Sequence, residues 1–250
     1  MILKALWLDT RLNASPPIAD SVHIPLAELE YRVHELPPRH ETIWIAKTGP
    51  FALEACAWLN ANGRIAKAED GFEYGDSAGG RLWAPNPFLE HCLNGIPPSK
   101  ALDIACGSGR DAVYMASCGF RVTAIDHLQD ALEMGKDLER RYLANCEPIS
   151  WVRTDIEKTP PQGQFDLVTC FHYLHRPILA HISDLLAPGG KLVFETFTSV
   201  HREKHGKPRT ENFVLQPSEL KDLVKNLSLV EYEEDWHDSR HTARIWAVKG

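Results

Sequence analysis

Apolar and polar positions along this chain follow two periods, and the switches between them mark its elements. "ALWLDTR" (5–11) and "TIWIAK" (42–47) read as strands. "HIPLAELEYRVHEL" (23–36) has helical spacing, and "FALEACAWLNANG" (51–63) is an amphipathic helix ended by Gly63. The result is a small alternating α/β unit over residues 1–68. So short a unit is marginal alone and is expected to pack on the rest of the chain. A Gly- and Pro-rich seam comes next, "DGFEYGDSAGGRLWAPNPFLEHCLNGIPPS" (70–99), with a helical patch at "PFLEHCL" between breakers.

Beyond the seam the alternation sharpens. "KALDIAC" (100–106) is a strand and "RDAVYMASCG" (110–119) a helix closed by Gly119. "FRVTAID" (120–126) is a strand, and "LQDALEMGKDLERRYLA" (128–144) a long amphipathic helix. "ISWVRTD" (149–155) and "FDLVTCFH" (165–172) are strands joined through the turn "TPPQGQ". The helix "PILAHISDLLA" (177–187) stops at "PGG", and "KLVFETF" (191–197) is a further strand. Near-continuous apolar strands between helices indicate a doubly wound, mostly parallel sheet covered on both faces. The ending departs from this pattern. A charged loop, "SVHREKHGKPRTENF" (199–213), leads to the helix "PSELKDLVKN" (217–226). "LSLVEYEEDW" (227–236) and "TARIWAVKG" (242–250) come after it with only "HDSRH" between them. Two strands joined so tightly must be antiparallel, a hairpin added at the sheet edge.

Composition narrows the classes. A net charge of −7 argues against nucleic-acid binding by bulk electrostatics, though it allows a local basic patch. No stretch approaches a membrane span, and the opening apolar run is too short for a signal peptide. The six cysteines form no CxxC pair and sit mostly in apolar segments, as expected of reduced thiols in a cytoplasmic protein. The His pairs 172/175, 201/205 and 237/241 lack a cysteine or tight carboxylate cluster to complete a metal set, so no metal is expected.

The most informative segment is "ALDIACGSGRDA" (101–112), which puts Gly107 and Gly109 in the turn between a strand and its helix. Ligands of doubly wound sheets bind at strand C-ends beside the switch point, and glycine lets them touch the backbone. The spacing Gly107-x-Gly109-x-x-Ala112 alone fits any nucleotide-type cofactor, nicotinamide included. The acids discriminate further. Asp126 ends the second strand of this block, 23 residues after Asp103, where a carboxylate can accept both ribose hydroxyls. Asp155 ends the third, where it can take an exocyclic adenine amine. Three acids suit a cofactor with a cation and an adenosine, whereas Asp103 would repel a pyrophosphate. Each residue also has a plainer reading: a ligand-free tight turn for the glycines, an N-cap for Asp126, a turn or cap for Asp155.

With these features, residues from about 80 to 250 resemble a class I S-adenosylmethionine-dependent methyltransferase of the tellurite-resistance type. The likeness rests on "LDIACGSGRD", the acid of "VTAID", "RTDIE", "FDLVTCFHYLH", "LAPGGKLVFETF" and the final hairpin. Ala105 stands where the family's first glycine would be, a small variation. The resemblance implies a Rossmann-like methyltransferase sheet over 99–250, with S-adenosylmethionine as cofactor. Asp103 and the turn Ala105–Gly107–Gly109 would hold its methionine part and Asp126 the ribose, with His127 beside the adenine. Asp155 and Ile156 would meet the adenine edge, and Cys170 and Phe171 would lie near the sulfonium. Positioning supplies much of the rate of such an in-line displacement, about 7–11 kcal/mol at best. A base is needed only where the acceptor loses a proton. In "FHYLHRP", His172, Tyr173, His175 and Arg176 are the catalytic candidates: a base, a hydroxyl and an anion-binding guanidinium. Each also reads singly as packing or an ion pair. Glu195 and Thr196 rank second, and "HREKHGKPR" is a solvated loop or a substrate lid with an anion preference. Trp83, Pro85 and Asn86 are hinge packing or a flap over the cofactor.

Residues 1–68 resemble a shortened rhodanese domain through "LDTR", "SVHIPLAELE" and "IWIAKTGPFALEACAWL". Rhodanese chemistry needs a loop cysteine thiolate, and Ala46 occupies the matching position, so sulfur transfer by that route is excluded. Cys56 reads as a core thiol. The expectation is therefore a silent rhodanese-like module (1–68), a linker or flap (69–98) and a methyltransferase (99–250). The acceptor would be a small molecule or RNA, with no membrane association, and the first module would serve substrate presentation, stability or a protein partner. The alternatives are a nicotinamide-dependent oxidoreductase and a non-catalytic cofactor-binding regulator.

Overall fold

The computed structural model describes residues 6–76, 80–144 and 146–250. Ala5 of the first expected strand and residues 77–79 of the seam lie outside the described residues. The chain separates into two compact units, Met1–Ala84 and Pro85–Gly250.

The first unit is a four-stranded parallel sheet in the order β2-β1-β3-β4. Its strands are β1 (Trp7–Asp9), β2 (Ser21–His23), β3 (Thr42–Ala46) and β4 (Ile65–Glu69), and helix α1 spans Pro50–Ala61. Leu8, Ile43 and Ile45 from the strands and Ala52, Ala55 and Leu59 from α1 form the core. Segment 23–36 is not one helix but two 3-10 turns, Leu26–Glu28 and Val33–Glu35. Its apolar spacing serves burial all the same, because Leu29 and Leu36 both enter the core. The Arg32 guanidinium binds Glu28 and Glu35 and so ties the two turns together. Strand β4 turns only alanines, Ala66 and Ala68, inward while its Ile65 is exposed, so its alternation is faint in the sequence.

The second unit begins with α2 (Pro87–Leu93), whose first amides are capped by the Asn86 side chain. A seven-stranded sheet comes next, in the order β10-β11-β9-β8-β5-β6-β7. The central strands are β5 (Lys100–Ile104), β6 (Arg121–Asp126), β7 (Ser150–Arg153), β8 (Phe165–Phe171) and β9 (Leu186–Phe197). They pair in parallel, and the sheet grows one way from β5 through β6 and the other way through β8. The crevice beside β5 is therefore the topological switch point. Helices α3 (Arg110–Ser117) and α4 (Gln129–Tyr142) succeed β5 and β6. Strands β10 (Ser228–His237) and β11 (Arg240–Val248) form the expected hairpin, and β11 pairs antiparallel with β9.

Several segments differ from the sequence reading. The helix expected at 177–187 is two short ones, α5 (Arg176–Ala180) and α6 (Ile182–Leu185). "PGG" does not end a helix but bulges the start of β9: pairing shifts between Phe165 and Leu167, and Gly189 takes φ +72°. The charged loop contains α7 (Ser199–His205), stopped by Gly206 in the left-handed conformation. The last helix, α8, is shorter than expected and covers Glu219–Leu223.

Candidate active site

The turn after β5 is built from left-handed residues: Ala105, Gly107 and Gly109 have φ of +54°, +53° and +76°. Two of the three have glycine, for different reasons. A Cβ on Gly109 would lie 2.5 Å from Trp151 and 2.8 Å from the Gly135 Cα, so α3 and α4 close only over two bare backbones. A Cβ on Gly107 would meet nothing within 4 Å, so that face of the turn is an open cradle. Ala105 accepts the strained conformation with a side chain.

Beside the turn, at the C-terminal ends of β5, β6, β7 and β8, lies a cleft of about 420 Å³. That volume falls within the usual range of about 300–1,000 Å³ for small-molecule sites. Ala105 forms part of one wall; Asp126 ends β6 and His127 comes just after it, Asp155 and Ile156 come from the loop after β7, and Phe171 ends β8 with His172 and Tyr173 just beyond it. Asp126 is buried and holds the turn, accepting from the Gly107 amide (2.9 Å) and the Leu128 amide (2.9 Å). It does not cap α4, whose N-cap is Leu128 with no side-chain cap, and each of its oxygens retains a second lone pair for a hydroxyl. Asp155 accepts from the Glu157 amide (3.2 Å) and pairs with Lys158 (2.7 Å), which holds its carboxyl below the usual range. The Tyr173 hydroxyl donates to Glu157 (2.8 Å) across the rim; burial and that carboxylate push its pKa up.

Asp103 is placed differently from the sequence expectation. It is 2% exposed, lies under the turn and does not line the cleft. Thr169 Oγ1 donates to its Oδ1 (2.8 Å), while Oδ2 is buried without a partner. Burial, then the nearby Asp111, raises its pKa well above the carboxylate range. Burial likewise takes Asp111 to about 6, against the Asn86 amide that donates to it (2.6 Å). Asn86 Nδ2 also donates to Glu195 (2.9 Å), whose other oxygen accepts from Thr242 Oγ1 (2.7 Å). Sequence reasoning placed Asn86 in the seam; its role as the joint of α2, α3 and β9 is visible only in three dimensions.

His172 takes φ +58° and stands exposed at the mouth, with its ring stacked on Phe197 at 5.0 Å. Its packed surroundings, opposed by Glu195 and then aided by Arg240, hold it below the ordinary imidazole value. Cys170, His175 and Arg176 are not brought to the cleft. Cys170 is buried in the core behind β8. His175 lines a separate cavity beside Ile178 and Pro160, with its Nδ1 buried and unpartnered. Arg176 is committed to Glu219 (2.9 Å) and to the carbonyls of Asn212 (2.7 Å) and Val214 (2.9 Å). Sequence reasoning missed Gly135, whose bare backbone in mid-α4 makes room for Trp151.

The fold and the cleft define an α/β enzyme unit shaped for a nucleoside-type cofactor. Comparison with known proteins specifies it further. Residues 101–190 match the model of a methyltransferase domain. The chain is 26% identical over 166 residues to the ubiquinone biosynthesis O-methyltransferase of Shewanella pealeana, covering 57% of this chain and 68% of that one. It is 25% identical over 154 residues to the probable S-adenosyl-L-methionine-dependent methyltransferase TehB of Haemophilus influenzae, covering 59% and 52%. The chain thus spans about half the length of that relative. The crystal structure of Haemophilus influenzae TehB shares the fold with a TM-score of 0.57 at 23% identity, over 67% of this chain and 63% of that one. The N-methyltransferase NodS from Bradyrhizobium japonicum, in complex with S-adenosyl-L-homocysteine, gives 0.51 at 24%, over 64% and 83%. Residues 101–190 of the second unit thus match a methyltransferase domain, and S-adenosylmethionine-dependent methyltransferase is the enzyme class to which the matches point. These relatives lend the nicotinamide alternative no support. Among the described residues no helix is long and apolar enough to cross a membrane.

Proposed function

We propose that the protein transfers a methyl group from S-adenosylmethionine to a small-molecule acceptor in the cleft at the C-terminal ends of β5–β8. The observation that carries this reading is the cleft itself, where the left-handed turn, Asp126, Asp155 and His172 converge. The residues fit the cofactor: the open face at Gly107 is a cradle, and Asp126 keeps lone pairs for a ribose. Asp103, buried under the turn with its pKa raised, does not reach the cleft, so the methionine part would rest on the turn itself. His127, Asp155 and Ile156 would flank the adenine, and Phe171 would lie toward the sulfonium. When bound, the cofactor supplies a methyl group already activated on a positively charged sulfur. The chain's own task is to exclude water, align the acceptor and take up any proton it loses.

His172 is the favoured proton acceptor, since its depressed imidazole is neutral at neutral pH. An RNA acceptor is the weaker reading, because the net charge of −7 opposes it. In the same reading the first unit is a catalytically silent rhodanese-like module, with Ala46 where a thiolate would be needed, that serves a partner or substrate presentation. The test is methyl incorporation from labelled S-adenosylmethionine into fractionated cell extract. Label in small molecules, reduced about 100-fold or more by His172→Gln, supports the reading. Label in RNA alone, or none, contradicts it.

A further inference from the structure

Several basic residues fall in or near the segments expected on the substrate side of the cleft, and the structure separates their fates. Arg176 is saturated by Glu219 and two carbonyls, and Arg244 is paired with Glu233. Arg240 is different. Among the described residues it has no carboxylate partner, and its Nη1 lies 3.4 Å from Nε2 of His172. A guanidinium does not deprotonate and offers five donors in a planar fork, so one weak contact to an imidazole leaves most of them for another group.

Its surroundings combine regular elements with stacked rings, and Lys204 Nζ of α7 lies 4.0 Å from the Trp236 ring. Arg240 opens β11 in register with His237, so it stands on the sheet and not on a loose loop. Next to it runs a column of rings: His172 on Phe197 (5.0 Å), Phe197 on His201 (4.5 Å), and His201 against His205 (4.6 Å). Burial, with His205 and Arg240 nearby, takes His201 down to about 4, so it carries no charge at neutral pH. Glu195, which acts on His172 from below, has its oxygens taken by Asn86 and Thr242. The chain as a whole is acidic, so a guanidinium without a carboxylate partner here departs from its net charge.

We propose that Arg240 determines acceptor specificity: it holds an anionic group of the acceptor, a carboxylate or a phosphate, at the cleft mouth beside His172. This rests on the methyltransferase reading above. An anion paired with the guanidinium would place the rest of the acceptor beside His172, which lines the cleft. The proposal moves the anion anchor from Arg176, its expected place in the sequence, to the tip of the hairpin.

The test uses the full-length protein with isotope-labelled histidine, observed by NMR and titrated with benzoate, phenyl phosphate or neutral benzamide. Benzoate or phenyl phosphate should shift the His172 ring signals, with the stronger of the two naming the anion, and benzamide should not. Arg240→Gln should weaken that response about tenfold or more, and Arg240→Lys should retain part of it. Equal responses to benzamide, no response to either anion, or an undiminished response in folded Arg240→Gln each overturn the proposal. The titration needs no cofactor, so a failure of S-adenosylhomocysteine to bind would strike the methyltransferase reading and leave this result standing.

Discussion

Gly135 sits in the middle of α4, where helix propensity alone favours alanine by about 1 kcal/mol. The structure reverses that sign. A Cβ at Gly135 would lie 2.5 Å from Trp151 Cζ3, well inside contact distance, so the indole must move. Trp151 is not free to do so cheaply. Its Nε1 donates to Glu139 (2.6 Å), and the same carboxylate takes the Ile149 amide (2.7 Å), tying the start of β7 to α4. Overpacking costs about 1–3 kcal/mol. Losing a hydrogen bond to a charged partner costs about 1.5–3 kcal/mol more. After the propensity gain, Gly135→Ala should lose about 1.5–5 kcal/mol, read as a lower urea midpoint at constant slope. Trp151→Val placed on that background should cost less than the two changes summed, because the clash is gone. A Gly135→Ala protein as stable as the wild type, or more so, would refute the packing account.

The same geometry sets other outcomes. Ala105→Gly relieves a left-handed alanine worth about 1–2 kcal/mol, less the entropy glycine adds to the unfolded chain, about 0.4–1 kcal/mol. The variant should gain up to about 1.6 kcal/mol, and a lower Tm would contradict this. Asp111 is raised to about 6 by burial, so its protonated form favours the fold. That stability is complete below the ordinary carboxyl value and is lost as pH rises through about 6, by about 3 kcal/mol at most. Asp111→Asn keeps an oxygen for the Asn86 amide and should flatten the decline in urea midpoint over that interval; an unchanged slope would count against the assignment. Arg176→Ala leaves Glu219 and two carbonyls without their donor and should cost about 1–3 kcal/mol in the same assay, whereas a neutral outcome would show the network to be idle.

What the sequence disclosed depended on how local the cause was. The strand–turn–helix at 100–117 and Asp126 at the end of β6 were legible because glycine, acid and apolar run stand together in the chain, whereas Asp155 falls two residues past the end of β7. The closing hairpin was legible from its short turn. The fate of Arg176 was not, because Glu219 and the carbonyls that absorb it lie 36–43 residues away. Nor was the burial of Asp103, which faces Thr169 on β8 and not the cleft. Gly135 looked like a weak point in a helix until Trp151 came against it from β7. The strands β2 and β4 escaped notice because they are short or alanine-rich and gain their pairing from neighbours distant in the chain.

The central claim is that the turn after β5, held by Asp126, is the cofactor site. Calorimetric titration of the full-length protein with S-adenosylhomocysteine and, separately, with NADH tests it most directly. The account predicts saturable binding of S-adenosylhomocysteine, none of NADH, and loss of the first in Asp126→Ala. Binding of NADH without S-adenosylhomocysteine, or S-adenosylhomocysteine binding untouched by Asp126→Ala, would contradict it.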